Sequence, residues 1–228
     1  MIPIRDKKVL ENIEAIINSD ESSFYIDTIR IEFSKEHTIK ELNKIGNWNK
    51  INKADRQIYK KLIDRLTADE ISNAYRLENN NNIFYYNSNK DRPKYRLATM
   101  VIFGLKQYHK EPPPRDIIIS IISILKNITS IDLCYDSAIK PDINKLIQLG
   151  GSQCFIDKST PTSTYYINTP HIPSIERAYI YDKQHKNSLG TPLWRFEAQI
   201  SIINPKEPYI PLFELLEMID YIYPKERL

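Results

Sequence analysis

An α+β fold is predicted for this 228-residue chain, and three observations carry it. Runs such as FYIDTIRIEF (24–33), SIDLCYDS (130–137) and WRFEAQIS (194–201) alternate and are rich in β-forming residues, as half-buried strands do. Other runs, IKELNKI, RQIYKKLIDRL and PLFELLEMIDYIY, repeat apolar residues at three- and four-residue spacing, the helical period. The order strand, helix, strands, helix then occurs twice. We therefore expect two pseudo-repeated halves, about 20–127 and 128–228, in one domain spanning 1–228. Together they would form a largely antiparallel sheet with helices on one side.

The elements follow in order. MIPIRDKKVLENIEAI reads as a charged amphipathic helix rather than a signal peptide. After the strand at 24–33, a helical region is expected from about Thr38 to Asp69. The Asn79–Asn82 run and its flanks read as a loop. NIFYYNSN and LATMVIFGL are strand-like, and Pro112–Pro114 open a helix from Arg115 to about Asn127, since proline is tolerated in a first helical turn. In the second half DINKLIQLG is a short helix with Gly150 as its C-cap. CFID, STYYIN, RAYIYDK and WRFEAQISI follow as four strands, and PLFELLEMIDYIY closes the chain as a helix.

Composition bounds the function. Apolar residues make up 41 %, which suits a globular protein. No apolar run approaches the roughly 20 residues that span a bilayer, so no membrane association and a cytoplasmic location are expected. Cys134 and Cys154 show no metal spacing, and a disulfide is not called for. The four histidines, His37, His109, His171 and His185, form no HxH or HxxxH pair. No GxxxxGK[ST], GxGxxG or GxSxG occurs, which argues against phosphate-loop hydrolysis and a serine nucleophile elbow. The net charge of +3 permits nucleic-acid binding without demanding it, and 15 tyrosines suit wet, stacking surfaces.

Candidate chemistry concentrates between Thr164 and Ser201. Residues two apart on a strand share a face, so Tyr179, Tyr181 and Lys183 are expected to point one way, and Arg195 to point with Glu197. Trp194, Phe196 and Ala198 would fill the apolar face. In SIDLCYDS, Asp132, Cys134 and Asp136 share a face, and like charges so placed repel unless a cation or basic partner offsets them. One explanation is a hard-metal site for Mg²⁺ or Mn²⁺. The other is an exposed face salt-bridged to lysines. Glu197 with Arg195 reads equally as a metal ligand beside a phosphate grip or as a cross-strand ion pair. A strand tyrosine is ordinarily packing. Activated by a metal or cation, it becomes a nucleophile, with Tyr181 and Tyr179 as rivals.

Taken together, SIDLCYD, TYYIN, ERAYIYDK and LWRFEAQI resemble, in content and order, the Rep_trans-type rolling-circle replication initiators of plasmids and mobile elements. A looser similarity links them to filamentous-phage nicking proteins. The resemblance covers roughly Ser130–Ile203, and IYDK followed by WRFE is its most specific part. Ser130 stands where the family often has a basic residue, and Ala178–Tyr179 where it tends to have arginine and an apolar residue. The resemblance implies site-specific nicking and joining of DNA by an endonuclease with a tyrosine nucleophile. Tyr181 would attack, with Tyr179 as the alternative. Lys183 and Arg195 would contact phosphate, and Asp132, Asp136 and Glu197 would hold Mg²⁺ or Mn²⁺. The implied partners are single-stranded or extruded origin DNA, host helicase and polymerase, and a second copy of the chain in a homodimer. The alternative is a non-catalytic nucleic-acid-binding α+β domain that uses a tyrosine-rich sheet face.

Overall fold

The computed structural model describes residues 4–19, 23–63, 65–80, 82–87, 97–107, 111–149, 152–155, 163–169, 171–202 and 209–223. These include helices α1 (Ile4–Asn18), α2 (Lys35–Leu42), α3 (Arg56–Ile63), α4 (Ala68–Ser72), α5 (Arg115–Leu125), α6 (Ile143–Gln148), α7 (Lys183–Asn187) and α8 (Leu212–Ile222). The strands are β1 (Tyr25–Ser34), β2 (Trp48–Lys50), β3 (Ala74–Leu77), β4 (Ile83–Asn87), β5 (Leu97–Phe103), β6 (Ile128–Ser137), β7 (Ser152–Phe155), β8 (Ser163–Ile167), β9 (Ile175–Asp182) and β10 (Trp194–Ser201). The class is α+β. The chain divides into two compact units: a first of Asp27–Ser130, and a second of Met1–Ile26 with Ile131–Leu228.

In the first unit the strand order is β2-β3-β4-β5-β1, and each of these neighbouring pairs is antiparallel. Alternation gives the sheet two apolar faces. Phe84, Val101 and Phe103 lie on one and pack with Ile58 and Leu62 of α3, Leu66 of the connection that follows it, and Ile71 of α4. Tyr85 lies on the other, against Phe33, Trp48 and Tyr75. The end of α2 reaches the same side, where Trp48 Nε1 donates to the Leu42 carbonyl. Helices thus occupy both faces of this unit, which adds a layer to the one-sided arrangement read from the sequence. The expected helical region 38–69 is broken by β2, and β3 runs where a loop was expected. α4 starts at a capping box. Glu70 N–H donates to Thr67 Oγ1, and Thr67 N–H donates to Glu70 Oε2 at 2.8 Å.

In the second unit the order is β7-β8-β9-β10-β6, with β7–β8, β8–β9 and β9–β10 antiparallel. Counted within each unit, both sheets read 2-3-4-5-1, the first strand lying beside the last. Phe196, Ala198 and Ile200 of β10 are fully buried, as are Ile131 and Leu133 of β6, so this sheet commits one face to the core. α6 packs with α8, and Asp142 caps α6 by accepting from the backbone N–H groups of Asn144 and Lys145. α6 ends at Gln148 with Leu149 as its C-cap, and Gly150, the expected cap, lies outside the described residues. In α1, Val9, Ile13 and Ile16 are buried at the helical spacing that its sequence sets.

Candidate active site

The face of the second unit opposite its apolar core collects most of the residues singled out from the sequence. Antiparallel register sets Tyr181 opposite Arg195 and Tyr179 opposite Glu197 across β9 and β10. On the other side of β9, Thr164 pairs with Tyr181 and Tyr166 with Tyr179. Because side chains alternate, these residues all emerge from the same face.

Two interactions organise it. Tyr179 Oη donates to Glu197 Oε1 at 2.6 Å, and Tyr181 Oη donates to Glu197 Oε2 at 3.3 Å. One carboxylate therefore receives both phenols. Beside it, Arg195 Nε and Nη2 donate to the two carboxylate oxygens of Asp136 at 2.7 and 2.6 Å. The side chains of this fork-to-fork pair are 2 % and 4 % exposed. The rings form a file, with Tyr166 tilted against Tyr179 at 5.7 Å and Tyr179 stacked on Tyr181 at 5.9 Å between centroids.

The electrostatics set the protonation of Tyr179. Burial, then the Glu197 charge, then the hydrogen bond to Glu197 hold the Tyr179 phenol far above its ordinary value. The Asp132 charge adds to the rise and Arg177 opposes it. Tyr179 is thus fixed as a neutral donor. Lys186 Nζ lies 4.4 Å from the centroid of the Tyr181 ring, and the Arg177 guanidinium 5.1 Å from that of Tyr179. Tyr181 itself is buried, at 5 % exposure.

Lys183 departs from the expected strand face. β9 stops at Asp182, whose carboxylate caps α7 by accepting from His185 N–H at 2.8 Å. Lys183 is the first residue of that helix, and it is buried. A strand period cannot carry across such a cap. His185 is exposed on α7.

Arg195, expected as a phosphate contact, turns its guanidinium to Asp136. Asp132, Asp136 and Glu197 do not come together as one metal-binding set. Both oxygens of Asp136 are engaged by Arg195 and both of Glu197 by tyrosine hydroxyls. Among the described residues, no group of three or more His, Cys, Asp or Glu side chains is arranged to hold a metal ion. The basic partner that the sequence allowed for the acidic strand is present, in the form of Arg195.

Three contributors escaped the sequence reading. Lys186 reaches Tyr181 because the Asp182 cap starts a helix there, a signal legible in D-x-x-H only with the cap in mind. Arg177 sits two residues before Tyr179, on the same face by alternation. Thr164 is 1 % exposed, and its hydroxyl has no hydrogen-bond partner among the described residues. It stands opposite Tyr181.

No family model matches the chain, and no curated protein matches it either. Among solved structures it is similar to the rolling circle replication initiator protein from Geobacillus stearothermophilus. The likeness has 12 % sequence identity and a TM-score of 0.46, and covers 78 % of this chain and 74 % of that one. No helix among the described residues is long and apolar enough to cross a membrane.

Proposed function

We propose that this protein is a replication initiator of the rolling-circle kind, which nicks and rejoins DNA through a tyrosyl–DNA intermediate formed on Tyr181. The observation that carries it is the convergence of two strand tyrosines on the single carboxylate of Glu197. In the step proposed, Glu197 takes the proton of Tyr181 as Oη attacks a DNA phosphorus. The bond from phosphorus to the 3′ oxygen breaks. The departing 3′ oxygen then takes the proton back from Glu197, leaving a 5′-phosphotyrosyl link and a free 3′-hydroxyl, so that atoms and charge balance. Lys186 supplies positive charge where the phenolate develops. Tyr179, held protonated, acts as a positioning residue that orients Glu197. The buried Arg195–Asp136 pair locks β10 to β6 and so fixes the site of Glu197.

A divalent ion, if the reaction uses one, would polarise the scissile phosphate. Among the described residues the carboxylates as arranged do not fit a shared ion. The DNA partner is proposed to be single-stranded or extruded, since a phosphodiester must reach a strand face. Helicase and polymerase would act on the exposed strand end.

Incubation with single-stranded DNA followed by a denaturing gel tests the proposal. Wild type and Tyr179→Phe should yield a covalent adduct, and Tyr181→Phe none. Glu197→Gln should slow adduct formation by about 10²–10⁴-fold, the usual worth of a general base. A normal adduct from Tyr181→Phe would overturn the assignment. The burial of Tyr181 favours a second function, non-catalytic nucleic-acid binding, which predicts DNA affinity without any adduct.

A further inference from the structure

We propose that a basic band on the first unit, formed by Lys50, Lys53, Arg56 and Lys60, docks the phosphate backbone of duplex DNA. The charge of the chain is unevenly divided. Residues 27–130 hold 19 Lys and Arg against 12 Asp and Glu, a net of +7, while the rest hold 13 against 17, a net of −4. Within the first unit, residues 35–65 hold nine basic residues against four acidic ones. A polyanion is the partner that such a division fits.

The fold gathers four of these cations on one short stretch. Lys50 ends β2, the edge strand of this unit's sheet. The turn that follows is fixed by Asn52, whose Oδ1 accepts from Ala54 N–H at 2.9 Å and Asp55 N–H at 3.3 Å. Lys53 sits in that turn. Arg56 and Lys60, four apart, share the side of α3 that faces away from Ile58 and Leu62, which are buried in the core. All four cations are exposed, and none has an ion-pair partner among the described residues. Asp55, the nearest acid in sequence, is drawn instead to Arg76 at 3.8 Å.

The neighbouring aromatics decide between duplex and single strand. Single-strand binders offer open ring faces on which bases stack. Here the Trp48 ring lies against Tyr85 at 5.2 Å, and Tyr75 is stacked on Tyr85 at 5.0 Å. The band itself offers charge, and the rings beside it are engaged with one another, which suits sequence-independent contact with a double helix. The choice of nucleic acid over another polyanion rests on the proposed function, whereas the surface itself is independent of the tyrosine chemistry.

Fluorescence anisotropy of a labelled duplex of random sequence, measured against salt concentration, tests the band. Each phosphate contact contributes about 0.9 to the slope of log affinity against log salt. The quadruple variant K50A/K53A/R56A/K60A should therefore lower the slope by about 3–4, while K50R/K53R/R56K/K60R should keep it. Trp48 fluorescence reports whether the first unit stays folded, and a version changing only Lys53 and Lys60 should lower the slope by about 2. An unchanged slope in the folded variants would overturn the proposal, as would binding of wild type to phosphatidylserine vesicles but not to duplex DNA. Salt-sensitive duplex binding without any covalent adduct would sink the nicking function and leave the band standing.

Discussion

Breaking the Arg195–Asp136 pair is the sharpest test of how the site is held. Both side chains are almost fully buried and share two charge-assisted bonds of 2.6 and 2.7 Å. Two unit charges at roughly 4 Å attract by about 4 kcal/mol at an effective dielectric near 20. Removing one partner leaves the other charged and buried, which costs about 3–5 kcal/mol, whereas replacing both by apolar residues is often close to neutral. Arg195→Met and Asp136→Leu should therefore each destabilise the second unit by about 3–5 kcal/mol, and the double variant should lie within about 2 kcal/mol of the parent. The chain has two tryptophans, Trp48 in the first unit and Trp194 in the second. In a Trp48→Phe background, urea unfolding followed by fluorescence reports the second unit alone. With a slope near 2 kcal/mol per molar urea, each single variant should shift the midpoint by about 2 M. Single variants costing under about 1 kcal/mol, or a double variant costing the full sum, would refute the lock assigned to this pair.

Two further outcomes follow from the same geometry. Tyr85 is buried and its phenol is pushed up to about 12, first by burial and then by Tyr75. The folded state then holds a proton that the unfolded state releases near 10. This contribution is whole below pH ~10 and is lost as pH rises toward 12, by at most about 2–3 kcal/mol. Denaturation of wild type minus Tyr85→Phe across that window should show the loss, and parallel curves would contradict it. The engaged oxygens of Asp136 and Glu197 predict that titration calorimetry will detect no tight Mn²⁺ site on the DNA-free protein. A micromolar dissociation constant would show that these carboxylates open to a metal.

The strong periods were legible. FYIDTIRIEF, WRFEAQIS and PLFELLEMIDYIY each have one apolar face to bury, and each forms the expected element. β2 and β3 were not legible, because Trp48–Lys50 and Ala74–Leu77 are too short to show alternation and become strands only by pairing with each other and with β4. Within the site, alternation correctly brought Tyr179, Tyr181, Arg195 and Glu197 to one face. It could not tell which carboxylate would take the guanidinium and which the phenols, since that depends on the order of strands in the sheet. It also carried Lys183 one residue too far, past the Asp182 cap where the backbone changes period.

The central claim is that Tyr181 becomes covalently joined to DNA, and mapping the link on the wild-type protein tests it most directly. After reaction with single-stranded DNA and nuclease trimming, trypsin should release the peptide 178–183, AYIYDK, which contains both rivals. Fragmentation spectra should find the nucleotide remnant on Tyr181. A remnant on Tyr179, or a peptide that never gains one, would contradict the account.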